Sequence, residues 1–237
     1  MRLDNYLVEN GYFESRNRAK EAIKNGLIEI DNKTIKKPSF NVKESDKILV
    51  KEYKFYISRA AKKLESYLEE FSFPIKGANA LDIGSSTGGF SQILLENGAF
   101  SVTCVDVGKD QLHQTLRDNP KVKVYEEMDI RDFNSEPFDV VVSDVSFISL
   151  NLILSSINRL SKRGATITLL FKPQFEVGKD AKRDSKGVVL DLEAIKNAQN
   201  IFLENTKKLN WKLIDSRISK IKGKEGNEEF FYTFKKV

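Results

Sequence analysis

From Asn79 onward, short apolar runs alternate with amphipathic stretches, and this alternation limits the fold more than any other feature of the chain. Residues 80–83, 102–107, 122–125, 138–142 and 165–171 read as strands, and residues 90–96 and 190–209 as helices. Two further strands at 211–218 and 229–234 bring the count to seven. Consecutive strands separated by helices need crossover connections, so the sheet is expected to be mostly parallel, doubly wound and covered on both faces. This is an α/β fold of the Rossmann-like kind. Its ligand crevice lies at the carboxyl ends of the strands.

The first 50 residues follow another pattern. Residues 3–10 read as a short helix, and Ser15 caps a second that ends at Asn25-Gly26. Asp31-Asn32 between Ile28-Glu29-Ile30 and Lys33-Thr34-Ile35 marks a tight hairpin, and Ile48-Leu49-Val50 a closing strand. This small α+β head is also the charged part. Residues 1–60 hold 13 Lys/Arg against 9 Asp/Glu, whereas the remaining 177 residues hold 26 against 25. Arg16, Lys20 and Lys24 recur every four residues and form one basic stripe, with Ala19, Ala22 and Ile23 on the apolar side. A basic head suits either a polyanion or a solvated surface.

Composition excludes several classes. The chain has 237 residues and is 40% hydrophobic, enough for one sizeable core and a small satellite. No apolar run is long enough to span a bilayer. The start, Met1-Arg2-Leu3-Asp4-Asn5, does not read as a signal peptide. Cys104 is the one cysteine, so an internal disulfide is impossible and cytoplasmic residence is expected. His113 is the one histidine and lacks Cys/His partners, so no metal site is expected.

The cofactor site is expected around Asp82-Ile83-Gly84-Ser85-Ser86-Thr87-Gly88-Gly89-Phe90, where a strand ends, the chain turns through glycine and a helix begins. The spacing is neither that of a dinucleotide fold nor that of a phosphate-cradling loop. Asp82 would repel a phosphate and welcome a sulfonium and its amino group. A second acid ends the next strand in Asp106-Val107, where such folds bind ribose hydroxyls. A third follows in Asp129-Ile130, placed to accept from an adenine amine. One aspartate at a strand end is usually a turn or cap residue; three in succession fit S-adenosylmethionine better than NAD. Four further polar residues converge on that edge: Lys63 on a helix before the first strand, Asp144 after the fourth, Lys172 after the fifth, and Glu229 opening the last.

The head resembles the S4 RNA-binding domain in Arg2-Leu3-Asp4, Glu14-Ser15-Arg16, Ala19-Lys20, Ile23, Gly26 and residues 28–33. Together with the glycine loop, Ser143-Asp144-Val145-Ser146-Phe147-Ile148-Ser149-Leu150 and Gly226-Asn227-Glu228-Glu229-Phe230, the whole chain resembles the TlyA family of ribosomal RNA 2′-O-methyltransferases, also labelled haemolysins. That resemblance implies an S4-like domain over 1–53, a linker over 54–62 and an FtsJ-like methyltransferase domain over 63–237. It implies a catalytic tetrad of Lys63, Asp144, Lys172 and Glu229, with Asp144 also facing the cofactor. It implies ribosomal RNA as partner, held at Arg2, Arg16, Arg18, Lys20, Lys24, Lys33 and Arg59, and a cytidine of the large-subunit 23S RNA as target. Neither a membrane nor an obligate protein partner is expected. The chain departs from the family at Ala60-Ala61, where glycines are common, and at Lys220, where a proline is common.

A ribose hydroxyl is a poor nucleophile, so transfer needs a base and strict alignment. A lysine serves as that base only when its ammonium form is disfavoured. Lys172 beside Lys63 would meet that condition, with Asp144 and Glu229 orienting the amines. Base methylation is the nearest rival. Carbon methylation would want a cysteine after the fourth strand, but Cys104 lies on the second. Amino-group methylation would want Asn/Asp-Pro-Pro-aromatic where Ser143-Asp144-Val145-Ser146 stands. A non-catalytic RNA-binding protein and a membrane-active haemolysin are rivals of other classes.

Overall fold

The computed structural model describes residues 1–51 and 54–237, in two compact units, Met1–Phe55 and Tyr56–Val237. The expected domain end at residue 53 lies outside the described residues.

In the first unit, helices α1 (Leu3–Glu9) and α2 (Arg16–Lys24) accompany the strands β1 (Ile28–Ile30), β2 (Lys33–Thr34) and β3 (Ile48–Val50), ordered β2-β1-β3 and antiparallel throughout. The Ser15 hydroxyl caps α2 by accepting from the Arg18 amide. Asp31 and Asn32 both take positive φ, 48° and 65°, as a two-residue hairpin turn of matching twist requires. Leu3, Leu7, Ala19, Ala22, Ile23 and Ile28 are fully buried and form the core.

The second unit begins with α3 (Arg59–Glu70), β4 (Asn79–Ile83), α4 (Gly89–Glu96) and β5 (Ser101–Val105). Then come α5 (Gln114–Arg117), β6 (Val122–Tyr125), β7 (Phe138–Ser143), α6 (Leu154–Leu160) and β8 (Ser161–Phe171). The chain closes with α7 (Pro173–Glu176), α8 (Leu192–Lys208), β9 (Trp211–Ile218) and β10 (Phe230–Lys236). The seven strands form one sheet in the order β6-β5-β4-β7-β8-β10-β9, parallel except for β10, which runs antiparallel to both neighbours. Two apolar cores cover its faces, which is why the central strands are apolar runs rather than alternating ones. The strand order reverses between β4 and β7, and that switch opens the crevice.

Two expectations shift. The segment 54–62, expected as a linker, contributes Arg59–Lys62 to the first turn of α3, and Tyr56 onward belongs to the second unit. Ala61 is fully buried there, a position that requires a small side chain rather than a flexible one. The last strand begins at Phe230, so Glu229 precedes it instead of opening it.

Candidate active site

The carboxyl ends of β4, β5 and β7 frame a cleft of about 390 Å³. Of the residues assigned to the cofactor from sequence, Gly84, Ser86, Asp106, Val107, Asp129, Ile130 and Asp144 line it, and so do Gly108, Gln111 and Phe147, which were not assigned to it. A second recess of about 350 Å³ shares Gly84, Ser86, Asp144 and Ser146 with it and adds Asp82, Ser85, Thr87, Phe90, Arg59 and Lys172. Gly88, Gly89, Lys63 and Glu229 line neither recess.

The glycines serve packing as much as access. At Gly88, with φ 94°, a Cβ would lie 2.1 Å from Leu116. A Cβ on Gly89 would lie 2.1 Å from the Ser58 hydroxyl and 2.7 Å from the Ala61 amide nitrogen. The bare backbone at Gly89 is therefore what lets α3 dock on α4. Farther along α3, the Tyr67 ring stacks on Phe231 at 4.4 Å, and its hydroxyl meets Asp215 at 2.8 Å and Thr233 at 2.6 Å. Those anchors set the rotation of α3, and with it the direction of Lys63.

Lys63 Nζ stands 2.6 Å from Glu229 Oε2, with both residues buried. Lys172 Nζ stands 2.6 Å from Asp144 Oδ1, donates to Ser146 Oγ at 2.9 Å and reaches the Asp144 carbonyl at 3.3 Å. The contact with Asp144 Oδ1 is an ion pair rather than an aligned hydrogen bond. Sheet register makes the two ion pairs neighbours. Phe171 pairs with Phe230, so Lys172 leaves β8 beside the point where Glu229 enters β10. Asp144 leaves β7, whose last residue Ser143 pairs with Ile83 on one side and Leu169 on the other.

The acids behave unequally. Asp82 is fully buried, and its Oδ2 accepts from the Ser91 amide at 2.9 Å and hydroxyl at 2.6 Å, while Oδ1 has no partner. Burial pushes its carboxyl up to about 7; the Ser91 hydroxyl works against that shift, and Asp144 and Asp106 add to it. Asp106 accepts from the amides of Ser86 and Gly108, each at 2.7 Å, and so ties the glycine loop to the next turn. Asp129 pairs with Arg131, whose guanidinium holds its carboxyl below the usual range. Part of its accepting capacity is thus spent inside its own turn. Glu126 organises the far wall: its oxygens accept from the amides of Asp110, Gln111 and Leu112, and Arg117 holds its carboxyl down at about 2. No sequence pattern marked Glu126, because its role exists only once β6 and the 108–112 loop meet. His113 caps α5, its Nδ1 accepting from the Thr115 amide.

Asp106, Asp129 and Asp144 line the cleft, Asp82 and Asp144 line the recess beside it, and the partnerless buried oxygen of Asp82 suits a cation. S-adenosylmethionine fits: it carries a sulfonium and an ammonium, and Asp82 and Asp144 would hold them. Ser86, Asp106, Val107 and Gln111 would face the remaining polar groups.

The expected RNA contacts in the head are partly engaged. Arg16 and Arg2 flank fully buried Asp4, with Nε atoms 2.9 and 3.0 Å from its oxygens, and hold its carboxyl at about 2, Arg2 most strongly. Arg18 pairs with Glu14 and lies over the Phe55 ring at 3.6 Å. Lys24 and Lys33 are exposed and Lys20 is half-exposed. Arg59 belongs to the second unit and donates to the Lys222 carbonyl at 3.0 Å.

Residues 56–236 match the FtsJ-like methyltransferase model, and residues 1–48 match the S4 domain. The chain is 46% identical to the 23S rRNA (cytidine-2′-O)-methyltransferase TlyA of Campylobacter jejuni, covering 99% of each chain. It is 36% identical to the 16S/23S rRNA (cytidine-2′-O)-methyltransferase TlyA of Mycobacterium tuberculosis, over 97% of this chain and 88% of the relative. A solved structure named as a hemolysin from Streptococcus thermophilus superposes with a TM-score of 0.73 at 31% identity, over 100% of this chain and 88% of the other. The chain therefore belongs to the FtsJ-like, S-adenosylmethionine-dependent methyltransferase family, in the TlyA group that joins this fold to an S4 domain.

Proposed function

We propose that this protein transfers a methyl group from S-adenosylmethionine to the 2′-hydroxyl of a cytidine in 23S ribosomal RNA. The observation that carries this reading is the pair of buried lysine–carboxylate contacts, Lys172–Asp144 lining the recess and Lys63–Glu229 behind it at the neighbouring strand end. An O-methyl transfer needs an acceptor for the hydroxyl proton and a rigid frame for the ribose, but no covalent nucleophile. S-adenosylmethionine supplies the electrophilic methyl group. Lys172 Nζ, which lines the recess, is the group we assign to face the 2′-hydroxyl and take up its proton. Asp144 and Ser146 orient that amine. Lys63, fixed by Glu229, positions the ribose.

The match to the full length of a relative named for 23S RNA alone favours the large subunit as substrate. Lys20, Lys24 and Lys33 are the head's candidates for phosphate contact, and Arg2 and Arg16 support them through Asp4. Work on ribosomal RNA implies a cytoplasmic site of action. Among the described residues no helix is long and apolar enough to cross a membrane. The test is methylation mapping of ribosomal RNA from cells with and without the protein, alongside transfer of labelled methyl to isolated subunits. A new 2′-O-methylcytidine in 23S RNA is expected. Label on a base, or none on RNA, would overturn the reading.

A further inference from the structure

The loops that follow β8 and precede β10 carry a charged surface that the reaction chemistry does not use. The first, residues 178–187, holds Lys179, Lys182, Arg183 and Lys186; the second, residues 219–228, holds Lys220, Lys222 and Lys224. All six lysines are exposed. Lys220 pairs with Glu70 at 2.8 Å and Lys222 approaches Glu228 at 3.5 Å. Lys179, Lys182, Lys186 and Lys224 have no ion pair among the described residues.

Neither loop is a loose solvated run. Asp184 Oδ1 accepts from the amides of Lys186 and Val188, both at 2.8 Å, and closes a hairpin turn. That acid is thereby spent on the backbone. The Arg183 guanidinium donates to the carbonyls of Gly178, Lys179 and Ala181, so it stiffens the loop without meeting a carboxylate there. Buried Asn227 joins the two loops: its Oδ1 accepts from the Val189 amide at 3.0 Å, and its Nδ2 reaches the Gly187 carbonyl at 3.5 Å.

The joined loops also wrap the reacting edge. The Ser219 amide donates to the Glu229 carbonyl at 2.8 Å, and a Cβ on Gly223 would lie 2.7 Å from Glu229 Oε1. Arg59 ties the same loop to the first turn of α3. The frame that carries these unpaired lysines is thus tied to Glu229 and, through Asn227, joined into one piece. A ribose presented for 2′-O-methylation arrives with a phosphate on either side, and those phosphates must be met by something next to the site. Pre-ordering lowers the entropic cost of meeting them.

We propose that the 178–187 and 219–228 loops form a phosphate-binding surface for the substrate RNA, separate from the head and carried by the methyltransferase unit itself. This rests on the RNA-methylation reading above. It assigns the gripping of phosphates near the reacting nucleotide to Lys182, Lys186 and Lys224, with Asn227 as the tie that sets their spacing.

The test uses the full chain with Lys182, Lys186 and Lys224 all changed to Gln. A control carries the same change at Lys76, Lys121 and Lys207, which are exposed elsewhere on the unit. Affinity for transcribed 23S RNA is measured from low to high potassium chloride. The loop variant should lose about 3 from the salt slope, roughly one per phosphate contact, and the control should lose little. The KM for RNA should rise in the loop variant, with kcat and S-adenosylmethionine affinity retained. Equal slopes for wild type and loop variant, or an equal loss in the control, would overturn the proposal. So would a loss that shows only against phosphatidylserine vesicles, which would make this a lipid-facing surface. If the wild type binds RNA but places no methyl on a ribose, the reaction assignment fails, while the slope comparison still decides this surface.

Discussion

Replacing Asp82 with Asn should stabilise the ligand-free protein and weaken its cofactor binding, both in a pH-dependent way. The carboxyl is fully buried, one oxygen has no partner, and two further acids face it. It keeps its proton in the native state up to about 7, against an ordinary value of 3.8. Between those values the native state binds more protons than the unfolded chain, so stability falls as pH rises through this window and is level above it. At about 1.4 kcal/mol per decade, the interval corresponds to about 4 kcal/mol. An amide at this position keeps acceptance from Ser91 and never ionises. The variant should therefore exceed the wild type by up to about 4 kcal/mol at pH 8, and the gain should vanish near pH 4. Urea unfolding followed by Trp211 fluorescence measures this, since the chain's one tryptophan is buried in the methyltransferase unit. The ligand should reverse the order. Wild-type affinity for S-adenosylmethionine should rise from pH 5 to 7 as binding expels the proton, whereas the variant should bind more weakly and without that rise. Parallel stability curves for the two proteins across pH 4 to 8 would refute the reasoning.

Glu229→Ala leaves Lys63 buried without its carboxylate and should cost about 3–5 kcal/mol in urea unfolding. Asp106→Ala removes the acceptor of two backbone amides at the cleft and should raise the calorimetric dissociation constant for S-adenosylmethionine roughly tenfold or more. Lys172→Ala should keep cofactor and RNA affinity while transfer of labelled methyl drops by about 10²–10⁴. Gly89→Ala forces a methyl group against the Ala61 backbone and should cost about 1–3 kcal/mol, with a fall in kcat as α3 carries Lys63 away.

Much of this protein was readable along the chain. The strand–helix alternation after Asn79 predicts a mostly parallel sheet because each apolar run must be buried on both faces. The Asp31-Asn32 turn and the Ser15 cap are local chemistry, decided within three or four residues, and the structure has both. The short helices α5 and α7 are one turn each and carry no periodicity to detect. They form where the surrounding sheet holds them.

The sequence by itself also determined which residue types reach the carboxyl edge of the sheet, since a strand end has a defined place in a doubly wound fold. It could not assign partners. That Lys63 pairs with Glu229, 166 positions away, follows from the docking of α3, and that Lys172 pairs with Asp144 follows from the register of β7 against β8. That Gly89 makes room for a helix rather than a ligand, and that Arg16 supports a buried aspartate before it can serve an RNA, are likewise tertiary facts. The physical reason is common to all of them. Backbone preference and apolar periodicity act over a few residues. The energy of a buried charge or a missing Cβ depends on which atoms the finished fold brings within a few ångströms.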